Sequence, residues 1–232
     1  LISNAIDGKN YKNINLLPRL KTNSEVNEYL NAIDIDLSGG QTVRIAVCGA
    51  VGGRGAAASG TGTLIYQDRK YTWRQVYDRC TSFASALTKI GIGQGDVVSI
   101  MAANTPELFE AHYSVPMTGG VINTINTRLD TRTVAYILEH SDCKVFIVDR
   151  QFQKVASEAL SQVDRKIVVI DIDDRHAGLG DVPAIGKHEY ENFLLTGDDD
   201  FEWLRPKDEW QAISLSYTSG TTGNPKGVVY HH

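Results

Sequence analysis

From Thr63 onward the apolar positions fall into two alternating periods. Leu64-Ile65-Tyr66 and Lys70-Tyr71 flank Gln67-Asp68-Arg69 and predict a small hairpin. Thr72-Trp73-Arg74-Gln75 has the spacing of a capping box, in which the hydroxyl and the Gln side chain satisfy free N–H groups at a helix start. Behind it Trp73, Val76, Tyr77, Cys80, Phe83, Ala84 and Leu87 recur at helical spacing, and Gly91 is placed to end the helix. Trp73 and Cys80 lie on that stripe and are expected in the core. Asp96 to Ala102 predicts a strand, Thr105-Pro106 a helix start, Val121 to Ile125 a second strand, and Asp130 caps a helix that buries Val134, Ile137 and Leu138. Lys144-Val145-Phe146-Ile147-Val148 is a continuous apolar run, typical of a strand covered on both faces. Phe152, Val155, Ala156, Ala159, Leu160 and Val163 form another helical stripe, and Ile167 to Ile170 another strand. Residues 171–210 read as loop-rich, and Ala212 to Tyr217 as a strand with Ile213 and Leu215 on one face. This alternation predicts an α/β fold, a parallel sheet flanked by helices, whose ligands bind beyond the carboxyl ends of the strands.

Residues 1–62 lack that regularity. Lys9 to Asn31 is rich in Asn and Lys, with a short helix predicted from Asn23 to Leu30; Val43 to Cys48 predicts a strand. Gly49-Ala50-Val51-Gly52-Gly53-Arg54-Gly55 imitates a dinucleotide-binding turn, but Ala56 to Gly62 is too short and glycine-rich for the helix such a turn must open. An acidic strand end near residue 70 would favour a nicotinamide oxidoreductase; Asp68 falls in the hairpin turn instead. The composition changes near Gly39, so 1–62 is expected to be an atypical leader, poorly ordered or foreign to the rest.

The chemistry concentrates in Thr218-Ser219-Gly220-Thr221-Thr222-Gly223-Asn224-Pro225-Lys226-Gly227, between the strand ending at Tyr217 and a second β-rich stretch, Val228-Val229-Tyr230. The expectation is a loop between two buried strands. Gly220 and Gly223 allow positive φ and turn N–H groups outward; Ser219, Thr221 and Thr222 add hydroxyls; Lys226 adds a positive charge. Such a loop suits a polyanion. It is not a Walker A loop, because Pro225 stands where that motif needs its second Gly, and Gly227 where it needs Ser or Thr. At about 7% usage each, the seven specified positions would assemble by chance on the order of 10⁻⁸ times per start.

This loop resembles the signature loop of the adenylate-forming (AMP-binding) ligases. Tyr71-Thr72-Trp73, Gly95-Asp96-Val97-Val98, Asn104-Thr105-Pro106-Glu107, Asn123 to Leu129 and Ile137 to Ser141 follow in the family's order. The wording Val228 to His232 is most similar to bacterial acyl-CoA synthetases related to 3-methylmercaptopropionyl-CoA ligase. The resemblance implies that 63–232 is the N-terminal part of an adenylate-forming ligase large domain, incomplete after the phosphate-binding loop. It implies ATP, Mg²⁺ and CoA as co-substrates and a short- or medium-chain carboxylic acid, activated as an acyl-adenylate and transferred to CoA. Thr218, Ser219, Gly220, Thr221, Thr222, Gly223 and Lys226 would hold the ATP phosphates. Lys226 and His232, the latter near the acyl carboxylate with His231 beside it, would be catalytic. Family members are more than twice as long, so a fragment is expected, unable to turn over alone. A homodimer is admitted for the parent.

Composition narrows the field. The 232 residues are 42% apolar and carry a net charge of −5, which argues against a nucleic-acid or anionic-membrane surface. No apolar run reaches a membrane span or makes a signal peptide, and a cytoplasmic setting is expected. Cys48, Cys80 and Cys143 fit neither a disulfide framework nor a zinc site and should be reduced thiols. Asp171 to Asp174 and Asp198 to Asp200 lack calcium-loop spacing and read as solvated charge. His112, His140, His176 and His188 are isolated, with no chemistry assigned. Two other readings stay open: a phosphate- or nucleotide-binding module without catalysis, and an amino-acid-activating adenylation domain.

Overall fold

The computed structural model describes residues 35–36, 63–178, 180–218 and 224–232. The helix expected at Asn23 to Leu30, the strand at Val43 to Cys48 and the Gly49 to Gly55 turn lie outside them. A small sheet joins β1 (Ile35–Asp36), β2 (Thr63–Tyr66) and β3 (Arg69–Thr72), with β1 parallel to β2 and the hairpin turning at Gln67-Asp68. The larger sheet holds β4 (Val97–Met101), β5 (Val121–Thr124), β6 (Cys143–Asp149), β7 (Val168–Ile172), β8 (His188–Glu189), β9 (Ala212–Thr218) and β10 (Lys226–His231), in the order β10-β9-β5-β4-β6-β7-β8. All its pairings are parallel except β9 with β10, so the expected parallel sheet gains one antiparallel edge.

Local chemistry sets the helix ends. α1 (Trp73–Lys89) opens on the Thr72/Gln75 capping box. It closes where Gly91, at φ +93°, donates to Thr88 O and Ile92 to Leu87 O, a Schellman pattern that needs the left-handed residue. α2 (Pro106–Met117) starts under Thr105 with proline in its first turn, and α3 (Thr131–His140) under Asp130. α4 (Gln153–Leu160) follows β6, and α5 (Tyr190–Leu194) interrupts the stretch expected to be loop-rich.

The continuous run on β6 divides between two cores. Val145 and Ile147 join Val98, Ile100, Ile122 and Ile170 beneath α1, α2 and α5; Phe146 and Val148 join Met101 and Ile125 beneath α3 and α4. Cys80 and Cys143 are buried free thiols, the latter pushed up to about 11 by burial. The Asp171 to Asp174 stretch corrects the expectation of solvated charge. Asp171 is fully buried and accepts from the Ile185 and Gly186 N–H groups at 2.9 and 2.7 Å, and Asp174 accepts from Tyr66 O–H at 2.5 Å. Partners 14 and 108 residues away supply what local spacing cannot show.

A charged network centred on the fully buried Glu110 ties three helices together. Arg79 on α1 donates to Glu110 on α2 at 2.5 and 3.1 Å and to Glu191 on α5 at 2.6 and 2.8 Å. Tyr190 O–H donates to Glu110 at 3.0 Å. Burial pushes the Glu110 carboxyl up to about 7 while Arg79 pulls it down. Removing one partner from such a pair strands the other charge, so Arg79→Met should lose about 3–5 kcal/mol of stability. Adding Glu110→Gln to Arg79→Met should recover a large part of that loss. Urea unfolding of the two variants measures both.

Candidate functional site

β5 and β9 run parallel, so the segment after Thr124 and the residue Thr218 leave the sheet at the same carboxyl edge. The chain returns at Asn224-Pro225, and Lys226 sits directly opposite Thr218 in the β9–β10 register. Thr218 O–H lies 3.5 Å from the Lys226 carbonyl oxygen. Both residues are exposed. Ser219, Gly220, Thr221, Thr222 and Gly223 lie outside the described residues. The expectation of two buried flanking strands holds only in part. Ile213 on β9 is buried, but β10 is exposed throughout, with Val229 at 50% and Tyr230 at 54%. As the edge strand it has a neighbour on one side only.

The stem of the loop is tied down by Tyr217. Its partner across the ladder is Gly227. A Cβ on Gly227 would stand 3.5–3.6 Å from Tyr217 ring atoms and 3.1 Å from Leu215 Cδ1, so the side chains of β9 lean over the bare glycine. The Tyr217 hydroxyl makes a 2.8 Å hydrogen bond with His140 Nδ1 at the end of α3. The His140 ring stacks on Tyr136, with centroids 5.1 Å apart. Partial burial pushes the Tyr217 hydroxyl up to about 12. Sequence reasoning assigned His140 no chemistry, and nothing in the chain's local pattern relates it to a residue 77 positions later.

His232 stands apart from Lys226. β10 is extended from Lys226 to His231, and at about 3.3 Å per residue the two side chains start roughly 20 Å apart. The His232 N–H lies 3.3 Å from Gln211 O, and the Trp210 ring meets His231 edge-on at 5.1 Å. Partial burial moves the His232 imidazole below its ordinary value. The structure brings Thr218 and Lys226 together and leaves His232 just past the far end of the same strand. Among the described residues no group of three or more His, Cys, Asp or Glu side chains could hold a metal ion. A hollow of about 220 Å³ opens at the ends of β6 and β7, lined by Asp149, Arg150, Asp173, Asp174 and Arg175 among others. Its arginines are already paired, Arg150 with Asp173 at 2.7 Å and Arg175 with Asp68 at 3.1 Å.

Comparison with known proteins places this geometry. Residues 54–232 match the family model described as AMP-binding enzyme. The peroxisomal acetate/butyrate–CoA ligase AAE7 of Arabidopsis thaliana is 46% identical over 180 residues, covering 73% of this chain and 32% of the relative. The acetate–CoA ligase CCL3 of Humulus lupulus is 44% identical over 180 residues, covering 73% and 32%. Among solved structures, the anthranilate CoA ligase AuaEII in complex with anthranoyl-AMP superposes with a TM-score of 0.64 at 24% identity, covering 71% of this chain and 30% of that one. The chain therefore spans about a third of the length of these curated relatives. No helix among the described residues is long and apolar enough to cross a membrane.

At Gly227 an added side chain meets both Leu215 and Tyr217. Gly227→Val should push Leu215 and Tyr217 aside, at a cost of about 1–3 kcal/mol. Gly227→Ala, whose Cβ crowds the mobile end of Leu215 and only touches the Tyr217 ring at ordinary contact distance, should cost less than half as much. Urea unfolding of the two variants measures both costs.

Proposed function

The chain belongs to the AMP-binding enzyme family, and from that premise we propose that it supplies the phosphate-binding part of an ATP-dependent acyl-CoA synthetase acting on a short- or medium-chain carboxylic acid. One observation carries this reading: a Gly/Ser/Thr sequence whose exit lysine, Lys226, stands opposite Thr218 at the carboxyl edge of a parallel sheet. The acetate and butyrate in the relatives' names favour a small acid over an amino acid.

In the proposed reaction a carboxylate oxygen attacks the α-phosphorus of ATP, and the bond to the bridging oxygen breaks. Pyrophosphate leaves with that electron pair. The thiol of CoA then attacks the acyl carbonyl and AMP departs. Thr218, Ser219, Gly220, Thr221, Thr222 and Gly223 would give N–H and hydroxyl donors to the β- and γ-phosphates, and Lys226 would balance the charge that grows on the leaving pyrophosphate. Mg²⁺ would enter as part of the MgATP substrate and share in neutralising the phosphate charge. His232, roughly 20 Å along an extended strand, would meet the acyl end of the substrate and not the phosphates. Buried, unoxidised Cys80 and Cys143 fit a reducing compartment, the cytoplasm or, as in the name of the Arabidopsis relative, the peroxisome.

The test is acid-dependent ATP–pyrophosphate exchange and thioester formation by the full-length protein with a panel of two- to eight-carbon acids. Acetate or butyrate should support both. Lys226→Ala should slow exchange about 10- to 150-fold, the loss of one charged hydrogen bond to phosphate, with a smaller change in acid affinity. Exchange at the wild-type rate in that variant would remove Lys226 from the mechanism.

A further inference from the structure

We infer that His140 and Tyr217 form a positioning pair that sets where the lysine of the phosphate loop stands. Three contacts converge on this point. Tyr217 is the penultimate residue of β9, next to the Thr218 that faces Lys226. Its ring leans over Gly227, the residue that follows Lys226, so one side chain touches both stems of the loop. Its hydroxyl is then fixed by the 2.8 Å hydrogen bond to His140 Nδ1. His140 is held in turn by stacking on Tyr136 within α3, whose Val134, Ile137 and Leu138 are buried in the sheet's second core.

The arrangement solves a mechanical problem. β10 is an edge strand with every residue exposed, and β9 reaches the rest of the sheet through two registered pairs only, Ile122 with Ser214 and Asn123 with Leu215. Pairing with β5 ends at Leu215, so the ends of both strands, where Thr218 and Lys226 pair with each other, lie beyond the last residue registered with the body of the sheet. The Tyr217–His140 bond clamps that overhang to a packed helix. Neither residue reaches a phosphate in this role; both act through the strand that carries Lys226. A hydrogen bond of this kind is worth about 2- to 10-fold in a rate or an opening equilibrium.

The test uses Tyr217→Phe, which keeps the ring over Gly227 and removes only the hydroxyl, with His140→Leu, His140→Gln and the double variant Tyr217→Phe/His140→Leu, all in the full-length protein. Amide hydrogen exchange gives the positional readout and does not depend on the synthetase reading. Residues 226–231 should exchange about 2- to 10-fold faster in Tyr217→Phe and His140→Leu, residues 143–149 should be unchanged, and the double variant should be no faster than either single one. His140→Gln, which can still hydrogen-bond the hydroxyl, should restore protection. A catalytic effect follows only if that reading holds: kcat for pyrophosphate exchange should fall by the same factor while KM for the acid stays put. Additive effects in the double variant, or unchanged exchange at 226–231, would overturn the pair. If the wild type shows no pyrophosphate exchange, the synthetase reading fails and hydrogen exchange alone decides the positioning.

Discussion

Ile122 with Ser214 and Asn123 with Leu215 are the two pairs that join β9 to the body of the sheet, and the position of the loop depends on that seam. Parallel strands cannot be linked by a tight turn, so β5 and β9 are separated by almost ninety residues of chain. What fixes their register is burial. Ile122 belongs to the core beneath α1 and α2, and Ile213 is buried beside the seam. A slip of one residue would turn Ile213 to the opposite face and carry Thr218 away from its place at the carboxyl edge.

The seam also carries an unusual polar load. Asn123 is fully buried, and its amide donates to Ser99 Oγ on β4 at 2.9 Å. Its carbonyl oxygen has no hydrogen-bond partner among the described residues. An apolar residue there would avoid the desolvation cost, but it would also remove a directional contact between neighbouring strands. The Arg79–Glu110–Glu191 network makes a similar exchange on the opposite face. Buried ion pairs add little net stability because both charges must shed water. They do penalise any packing of α1, α2 and α5 that separates them, and so hold the three helices in one arrangement around Tyr190.

Features that depend on neighbours in sequence were legible from the chain alone. The Thr72/Gln75 box, the helix start at Thr105-Pro106, the Asp130 cap and the Gly91 stop each involve residues within about five positions, and the structure has all of them. The split of Val145 to Val148 between two cores was legible for the same reason, since a four-residue apolar run admits few alternatives. Features set by distant partners were not legible. Asp171 and Asp174 resemble surface acids until the Ile185 and Gly186 amides and the Tyr66 hydroxyl arrive. Short elements such as α5 carry too few turns to show a period. At the site, the residue types of the loop were readable, whereas the exposure of β10 and the contact of Tyr217 with His140 required the third dimension.

The exposure of Lys226 bears on how its charge can act. In bulk water a unit charge 4 Å from a phosphate oxygen feels about a quarter of the attraction it would have at an effective dielectric of about 20. A lysine free in solvent also spreads over many rotamers, so its average distance from any one oxygen is longer still. In the proposed reaction, stabilising a departing pyrophosphate would therefore need two conditions beyond the presence of the cation. The backbone that carries Lys226 must be held still, and water must leave when the nucleotide is seated. The proposed Tyr217–His140 pair would supply the first from within these residues, since it would act on the strand and not on the side chain. The second depends on the nucleotide itself. Under the proposed function, a triphosphate seated beside Lys226 would cover the lysine it attracts, so binding and the gain in electrostatic strength would rise together. The benefit of Lys226 should then appear more in the reacting complex than in the initial capture of ATP, and the split between kcat and KM in a Lys226 variant measures that difference directly.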